Sequence, residues 1–484
     1  MVFSHHDLDA VQRKGLQGSI YRTFSHISQQ VEHFWNSKWY FPSLLLAASV
    51  FVVTGKTVAG VLFLLTVTTV YLAFCPDFLA SILPFFLMFE MAAPQYDNLN
   101  VFLPLSFAAL PFFAALLLHL IIWPAAPKVG RSSQGLVLVA LATVLGGCDV
   151  MTYQQYTKPI SLYYSLGLGV GMLVLYLLYR SRISVRQDYD IYDRFASIFY
   201  VLGAFMVVMV ALVYIYNWQT FMETRASINF SYRNFCATIL LTTLPMPFYF
   251  ALRDKRHLIS AAFFTLGLLF TGSRSALLFG AVALALCCIY MVRFRALSKR
   301  IVLGLFGLGA AFFCFVGSQW LAGRIQSGGW ISINEPRWRF LVCAVRDFMH
   351  HPIFGIGLGN NLHEQVFIGV QGSMVFYHNM IAQIMGSMGL LGIVAYMKLI
   401  SDRIHVLWSS RTPFTVCMRL SYLGMLLISM TNPGEFCPFP NAGMMVLLFT
   451  MAELAAGEQA VPVAQLLKVP VRSLRRASRS LARK

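Results

Sequence analysis

Charged residues are scarce in this chain of 484 residues, and acidic ones are the scarcest. Only 12% of the residues are charged, 19 acidic against 37 basic, while 58% are hydrophobic. A soluble domain carries about 25% charged residues, so the composition excludes an ordinary soluble enzyme. The apolar runs also lack the alternation of β-barrel strands. We therefore predict an all-α polytopic membrane protein.

Other absences limit the kinds of binding site that the sequence indicates. The nine cysteines include no C-x-x-C pair, which indicates neither a metal site nor a disulfide framework. The glycines of 355–359 follow no strand and lack the spacing of a dinucleotide fingerprint. No h-region of a cleavable signal peptide precedes residue 35. We expect no metal and no cofactor, and we attribute the net charge of +18 to topology and anionic lipid rather than to nucleic acid.

Hydropathy predicts about 12–14 membrane-spanning helices, the lower number applying if two short segments are re-entrant. With the N-terminus inside, 28 of the 37 Lys and Arg residues fall on the inner side and 9 on the outer side, as the positive-inside rule requires. The one large hydrophilic loop, 322–376, is then outside, which in a bacterium is the periplasm. The apolar segments are 40–54, 58–75, 78–93, 99–123, 135–151, 160–179, 196–216, 235–252, 258–271, 275–292, 301–321, 377–397, 414–431 and 441–456.

The predicted domains are a cytoplasmic arm at 1–38, a transmembrane domain at 39–456 and a basic cytoplasmic tail at 457–484. The tail interleaves Leu and Val with arginines, and we expect it to bind anionic lipid rather than a protein partner. Apolar residues in the arm recur every three or four positions, which predicts a helix lying on the membrane surface. They are Ile20, Phe24, Ile27, Val31 and Phe34.

Charged groups in or beside spans are costly, so each one is a functional candidate. Flanking charges also collect at interfaces in any membrane protein. For Glu90 and Asp149 this plain alternative is as good as a role in binding substrate or orienting an arginine. On the predicted topology the outer side holds Glu90, Asp149, Arg225, Arg233, Arg274, His378 and Glu435.

Arg274 is the strongest candidate. It lies in a tight turn between two apolar segments, directly after Thr271-Gly-Ser273. A guanidinium stays charged when it is partly desolvated and bonds phosphate oxygens bidentately. The outer side is otherwise poor in basic residues, so a topological flank explains Arg274 badly. We predict that Arg274 and Ser273 bind a phosphate group.

The large loop contains an amphipathic pattern from Arg337 to Met349, which predicts a helix that ends before Pro352. Arg337 in the first turn gains nothing from the helix dipole, so a ligand is the better explanation. Arg346 near the last turn has the alternative of a favourable C-terminal charge. Arg339 on the same helix is a further candidate for binding substrate.

His378 and Asn379 open the next apolar segment, where the large loop returns to the membrane. An interfacial histidine is usually inert. At this junction, opposite the arginines, an imidazole with a pKa near neutrality is suited to accept a proton from a hydroxyl nucleophile. We predict His378 as a general base and Asn379 as a substrate-binding neighbour.

Several motifs occur in a distinctive order between residues 225 and 400. TGSRSALL at Thr271–Leu278 is followed by Arg337 and by HPIFGIG at 351–357. His378-Asn379, Gln383 and GLLG at 389–392 come next, and Asn234 with Pro245 lies upstream. The order and spacing resemble the O-antigen ligase and polymerase superfamily of bacterial envelopes. Ser387 departs from the glutamate often found in that family.

The resemblance implies a metal-independent, inverting glycosyltransferase with a C-type membrane fold. Its donor would be a glycan on undecaprenyl diphosphate, and its acceptor a hydroxyl of lipid A–core at the periplasmic face of the inner membrane. Arg274 and Arg337 would bind the diphosphate, and His378 would be the base.

Three alternatives remain open. A repeat-unit polymerase or a protein O-oligosaccharyltransferase would use the same donor chemistry with another acceptor. A lipid-glycan flippase or transporter would also be polytopic, but it should show repeats and charges at the membrane midplane.

Overall fold

A computed structural model describes residues 15–95, 99–147, 165–184, 189–224, 228–301, 304, 336–358, 377–432, 434–436, 439–458 and 460–463. The chain divides into two compact units, Met1–Ala125 and Ala126–Lys484. Within the described ranges, the only strands form one short antiparallel ladder in which Lys128 pairs with Pro462. The predicted all-α class is confirmed.

The first unit consists of helices that follow one another closely along the chain. Phe24 of the first helix packs against Phe74, with ring centroids 5.2 Å apart, and the Trp35 indole N–H donates to Asp77 at 2.8 Å. The predicted helix of the arm is therefore present. The helices are α1 (Gly15–Asn36), α2 (Tyr40–Val53), α3 (Thr57–Phe74), α4 (Ile82–Ala92) and α5 (Ala109–Ile122), with 3-10 helices at Phe78–Ser81, Ala93–Gln95 and Leu99–Ala108.

The second unit contains all the motifs that the sequence singles out. Its helices are α6 (Ser132–Ala142), α7 (Met172–Arg182), α8 (Ile191–Tyr216), α9 (Trp218–Thr224), α10 (Arg233–Thr243), α11 (Pro245–Ala251), α12 (His257–Phe270), α13 (Arg274–Arg293), α14 (Pro336–His350), α15 (Met380–Trp408), α16 (Pro413–Ser429) and α17 (Phe439–Ala455). Two π-helical turns, Thr143–Gly147 and Leu166–Gly171, adjoin α6 and α7, and the strands are β1 (Lys128–Val129) and β2 (Val461–Pro462).

Among the residues that the structure describes, five helical segments are long and apolar enough to cross a membrane, and seven shorter apolar helices accompany them. These twelve coincide with twelve of the predicted apolar segments. Segment 160–179 is described only from residue 165, and 301–321 lies almost entirely outside the described residues. The number of crossings stays a prediction. The five are Thr57–Phe74, Ile191–Tyr216, Arg233–Ala251, Arg274–Arg293 and Met380–Trp408.

Helix α15 is broken inside, which its hydropathy does not reveal. Gly389 has φ 60° and ψ −151°, a conformation that is essentially restricted to glycine. The helix therefore changes direction there and has a short N-terminal part, 380–388, and a long C-terminal part, 390–408.

The relative directions of helices α10, α12 and α13 show which residues lie at the same end of the second unit. A Cβ on Gly203 of α8 would touch both Phe264 of α12 and Thr243 of α10, and one on Gly267 of α12 would touch Leu240. Higher numbers on α12 thus lie beside lower numbers on α10, so these two helices are antiparallel. Because 271–273 is a tight turn, α13 runs back along α12 and is parallel to α10. The first residues of α10 and α13 therefore lie at the same end.

Candidate functional site

The first turn of α13 has no side-chain cap. Ser273 is the N-cap residue with extended backbone, but its hydroxyl makes no capping bond. That hydroxyl instead lies 3.2 Å from the hydroxyl of Ser275, and both serines are buried. The side chain of Arg274 is exposed beside them. A helix N-terminus whose first N–H groups lack a side-chain cap is suited to an anion.

Arg233 heads the neighbouring helix. It is the first residue of α10 and is half-buried, and α10 packs against α13 and α16. Since α10 and α13 start at the same end, the structure places two of the predicted arginines, Arg233 and Arg274, on one end of the second unit.

Part of the connection between α16 and α17, described at residues 430–432 and 434–436 and called the 430–436 segment below, contacts both the arginine turn and the histidine turn. The Asn379 side-chain amide donates to the carbonyl oxygen of Met430 at 2.8 Å. The Asn432 amide nitrogen lies 3.5 Å from the hydroxyl of Ser275. The motifs around residues 274 and 378, about a hundred positions apart in sequence, therefore contact the same segment.

His378 has an unusual backbone. Its φ is 52°, in the left-handed region that non-glycine residues seldom adopt. The neighbours hold it there: the Tyr377 N–H donates to the Gln383 side chain at 3.1 Å, and Asn379 caps α15 by accepting from the N–H of Ala382 at 3.0 Å. Strain of this kind, of the order of 1–3 kcal/mol, is concentrated at functional sites.

Helix α14 supports the histidine. It spans Pro336–His350, which confirms the amphipathic helix predicted in the loop. The ring of Phe340 stacks on the His378 imidazole, with centroids 5.3 Å apart and an interplanar angle of 22°. Cys343 and Ala344 pack against Tyr377. The helix thus places its apolar face directly on the residues around His378.

One polar bond is buried in this contact. The Tyr377 hydroxyl donates to the carboxylate of Asp347, which is completely buried. Burial, and then the nearby Asp347 charge, raise the pKa of Tyr377 well above its ordinary value. The neutral phenol is therefore the form that docks α14.

Helix α14 carries three of the predicted arginines, Arg337, Arg339 and Arg346. Arg337 lies in the first turn of the helix, and its side chain is outside the described part of the structure. Arg339 and Arg346 are exposed, away from the packed face of Phe340, Cys343 and Asp347. Their predicted role in binding substrate stays a prediction.

The glycine-rich segment after α14 packs backbone to backbone against the break in α15. The N–H groups of Ile356 and Gly357 donate to the carbonyls of Gly386 and Ser387 at 3.0 and 2.9 Å, and Leu390 donates to Pro352 at 2.8 Å. A Cβ on Gly355 would lie 2.3 Å from the Ser387 backbone. The absence of a side chain at Gly355 thus permits this close approach to α15.

The remaining candidates are Glu90, Asp149, Arg225 and Asn379. Glu90 belongs to the first unit, is completely buried, and neither of its carboxylate oxygens has a hydrogen-bond partner among the described residues. Asp149 and Arg225 lie outside the described residues. Asn379 uses both ends of its amide, in the bonds to Met430 and Ala382, so the structure assigns it a positioning contact in addition to its predicted role.

Glu435, which we predicted in the last outer loop, lies in the connection between α16 and α17. Glu435 is buried, and its carboxylate pairs with both terminal nitrogens of Arg403, at 2.8 and 2.6 Å. Asn432 and Phe436 in the same connection are buried as well. A hydropathy plot cannot register this, because the polar stretch is short and reads as an ordinary loop.

Sequence reasoning also missed Ser275, Asn432 and Asp347. Asn432 is 2% exposed, and its side-chain oxygen has no partner within the described ranges. The available signal was the run of polar and turn residues from Thr431 to Glu435 between two apolar helices. Nothing in it indicates a contact with residue 275.

No group of three or more His, Cys, Asp or Glu side chains in the described part of the chain is arranged to hold a metal ion. Among known families, residues 259–397 match the model described as O-antigen ligase. This match includes α13, α14 and the first part of α15, and it ends before the 430–436 segment. No curated protein matches the chain.

Proposed function

We propose that this chain, which carries a domain of the O-antigen ligase superfamily at residues 259–397, is a ligase-type glycosyltransferase of the bacterial inner membrane. It transfers a glycan from undecaprenyl diphosphate to a hydroxyl of lipid A–core at the periplasmic face. The observation that carries the proposal is the meeting of the Arg274 turn and the His378 turn on one segment, 430–432.

The donor is an anion at its reactive end. Negative charge grows on the diphosphate as its bond to the sugar C1 breaks, so groups that stabilise that charge act more strongly in the transition state than in the ground state. Arg274, the open N-terminus of α13 and Arg233 provide such groups at one end of the second unit. We assign Arg337, in the first turn of α14, to the same diphosphate.

The acceptor needs a base. We assign this role to His378: a neutral imidazole takes the proton from the acceptor hydroxyl while its oxygen forms the new bond to C1. The diphosphate departs with the electron pair of the broken bond. Direct displacement of this kind inverts the configuration at C1 and needs no metal ion.

The test is transfer by purified protein from a defined lipid-linked glycan to three acceptors: lipid A–core, a second lipid-linked glycan and a peptide. We expect glycosylated lipid A–core. Product only on the lipid-linked glycan would indicate a polymerase, and product only on the peptide would indicate a protein glycosyltransferase. Movement of the donor across a vesicle bilayer without transfer would indicate a flippase and overturn the proposal.

A further inference from the structure

A second buried feature is the ion pair between Arg403 and Glu435. Arg403 of α15 is completely buried, and its guanidinium lies 4.6 Å from the ring centroid of Phe449 and 5.7 Å from that of Tyr422. The side chains of Arg403 and Glu435 are only 2% and 9% exposed. The pair is bidentate, so it fixes both the distance and the orientation of Glu435.

The pair acts on a segment with little regular structure of its own. Around Glu435, the ring of Phe436 packs against Tyr396 with centroids 5.2 Å apart, and the carbonyl of Gly434 accepts from Asn441 at 2.7 Å. Gly434 has a φ of 57°, and a Cβ there would collide with Ser429. One half of the 430–436 segment is thus fixed in the interior of the unit.

The other half touches the site. Met430 bonds Asn379, the neighbour of His378, and Asn432 contacts Ser275, the neighbour of Arg274. Glu435 is only three residues from Asn432 in the sequence. A small displacement of Glu435 would therefore be expected to move Asn432 as well. Because misplaced catalytic groups lose rate steeply with distance, the location of this segment bears directly on transfer.

We infer that Arg403 and Glu435 form a positioning pair that fixes the 430–436 segment and, through it, holds the arginine turn and the histidine turn in register. The inference rests on the proposed function. Neither residue is assigned a contact with substrate; each acts through Asn432 and Asn379. An ion pair held in the protein interior at a desolvation cost fits such a role.

The chain supplies a matched control. Arg180 and Glu453 form another buried pair, 3.2 Å apart with side chains 4% and 0% exposed. Glu453 also accepts from the N–H of Ser132 and the hydroxyl of Tyr176, both at 2.8 Å. None of these contacts involves the 430–436 segment, so loss of this pair should lower stability without changing the site.

The experiment compares Glu435→Gln and Arg403→Lys with Glu453→Gln and Arg180→Lys, each in full-length protein in detergent. We expect all four to lower the melting temperature. Only the first two should lower kcat per folded molecule, by about tenfold or more, with a much smaller change in the KM for the lipid-linked donor. Glu435→Asp keeps the charge with a shorter reach and should restore part of the lost kcat. It also serves if Glu435→Gln does not fold.

A second readout does not depend on transfer. Ser275→Cys with Asn432→Cys, joined by a short bis-methanethiosulfonate reagent, reports whether the segment stays beside α13. We expect cross-linking to fall several-fold when Glu435→Gln or Glu435→Asp is added and to be unchanged by Glu453→Gln. Equal effects of the two pairs on kcat and on cross-linking would overturn the inference. Wild-type protein that transfers no glycan but shows the cross-linking difference would instead refute the proposed function and retain the positioning pair.

Discussion

At the residue scale, His378 combines three properties that seldom occur together in a structural histidine. Its backbone is in the left-handed region, its ring stacks on an aromatic residue of another helix, and its neighbour Asn379 is tied to the 430–436 segment. The backbone conformation costs free energy that a glycine or asparagine would largely avoid. An imidazole at such a position supports the catalytic role that we propose for His378.

Replacing His378 by Gln separates basicity from shape. We expect His378→Gln to fold and to bind the lipid-linked donor, since Arg274 is unchanged, but to lose transfer by roughly 10²–10⁴ in rate. The measurement is the initial rate of transfer beside donor binding. As a control, Phe340→Leu removes the stacked ring and keeps the imidazole, so its loss should be far smaller. A His378→Gln protein with nearly full activity would show that the residue only positions substrate.

A substitution at Arg274 tests whether this residue binds the donor diphosphate. Lys keeps the charge but loses the fork, so Arg274→Lys should lower kcat/KM at least about tenfold, because bidentate geometry to the diphosphate is lost. Arg293→Lys is the matched control, at the last residue of the same helix and at its other end, and should leave kcat/KM unchanged. Full transfer by Arg274→Lys at normal expression would contradict the assignment.

Residue types and motif order are sufficient to indicate Arg274, Ser273 and His378. They do not indicate Ser275 or Asn432, because the contact joins positions 157 apart in sequence and neither residue has a type or spacing that predicts it. The same applies to Glu435. Its charge is visible in the sequence, but its partner Arg403 follows segment 377–397, and hydropathy places Arg403 on the inner side of the membrane.

At the element scale, Gly389 allows the 352–358 segment to pack closely against α15. Gly389 has φ 60°, and a Cβ there would lie 2.6 Å from the Ile353 backbone. Backbone atoms cannot yield as a side-chain end can. The break in α15 and the docked 352–358 segment therefore require each other.

Gly389→Ala should be strongly destabilising, by about 3 kcal/mol or more, because it adds a steric clash to a conformation reserved for glycine. The checks are the melting temperature in detergent and the yield of folded protein. Gly267→Ala is the control: this glycine lies within helix α12, and the added Cβ would come no closer than 3.1 Å to a side-chain atom. It should change stability by less than about 1 kcal/mol. Similar losses in both variants would refute the argument.

The bond between Tyr377 and Asp347 predicts a pH dependence. Tyr377→Phe leaves a buried carboxylate with one donor fewer and should cost about 1–3 kcal/mol at pH 7. The folded-state pKa of Tyr377 is raised above its ordinary value of 10.0. The native state therefore holds its proton more tightly than the unfolded chain, so this contribution is present below about pH 10 and is lost as the pH rises further.

Wild-type stability should thus decline more steeply above about pH 10 than that of Tyr377→Phe. Denaturation midpoints between pH 7 and 11 measure this difference. Asp347→Asn should still decline more steeply than Tyr377→Phe, because burial is the larger cause of the raised pKa of Tyr377. Parallel curves for wild type and Tyr377→Phe would show that the phenol does not hold α14 in place.

At the scale of the whole chain, composition and hydropathy predicted the fold class, and the family resemblance drawn from the motifs is confirmed for residues 259–397. These features depend on sums over many residues, so single errors cancel. The packing of the 430–436 segment depends on one ion pair and a few polar contacts. Averages over a window of residues do not contain that information.

The orientation in the membrane is the last prediction, and the second unit gives it a physical basis. Basic residues crowd the end opposite Arg274: Arg253, Lys255 and Arg256 precede α12, and Arg295, Lys299 and Arg300 follow α13. The positive-inside rule predicts that this end faces the cytoplasm and that the Arg274 end faces the periplasm, where we propose that the donor diphosphate binds. The six cysteines that the structure describes are buried, so their background labelling should be low. A membrane-impermeant maleimide applied to intact cells should therefore label Ser327→Cys in the large loop, and should label Ser298→Cys after α13 only once the cells are lysed. The reverse pattern, with position 327 protected and position 298 reactive, would invert the topology and place the proposed active site on the wrong side for a periplasmic acceptor.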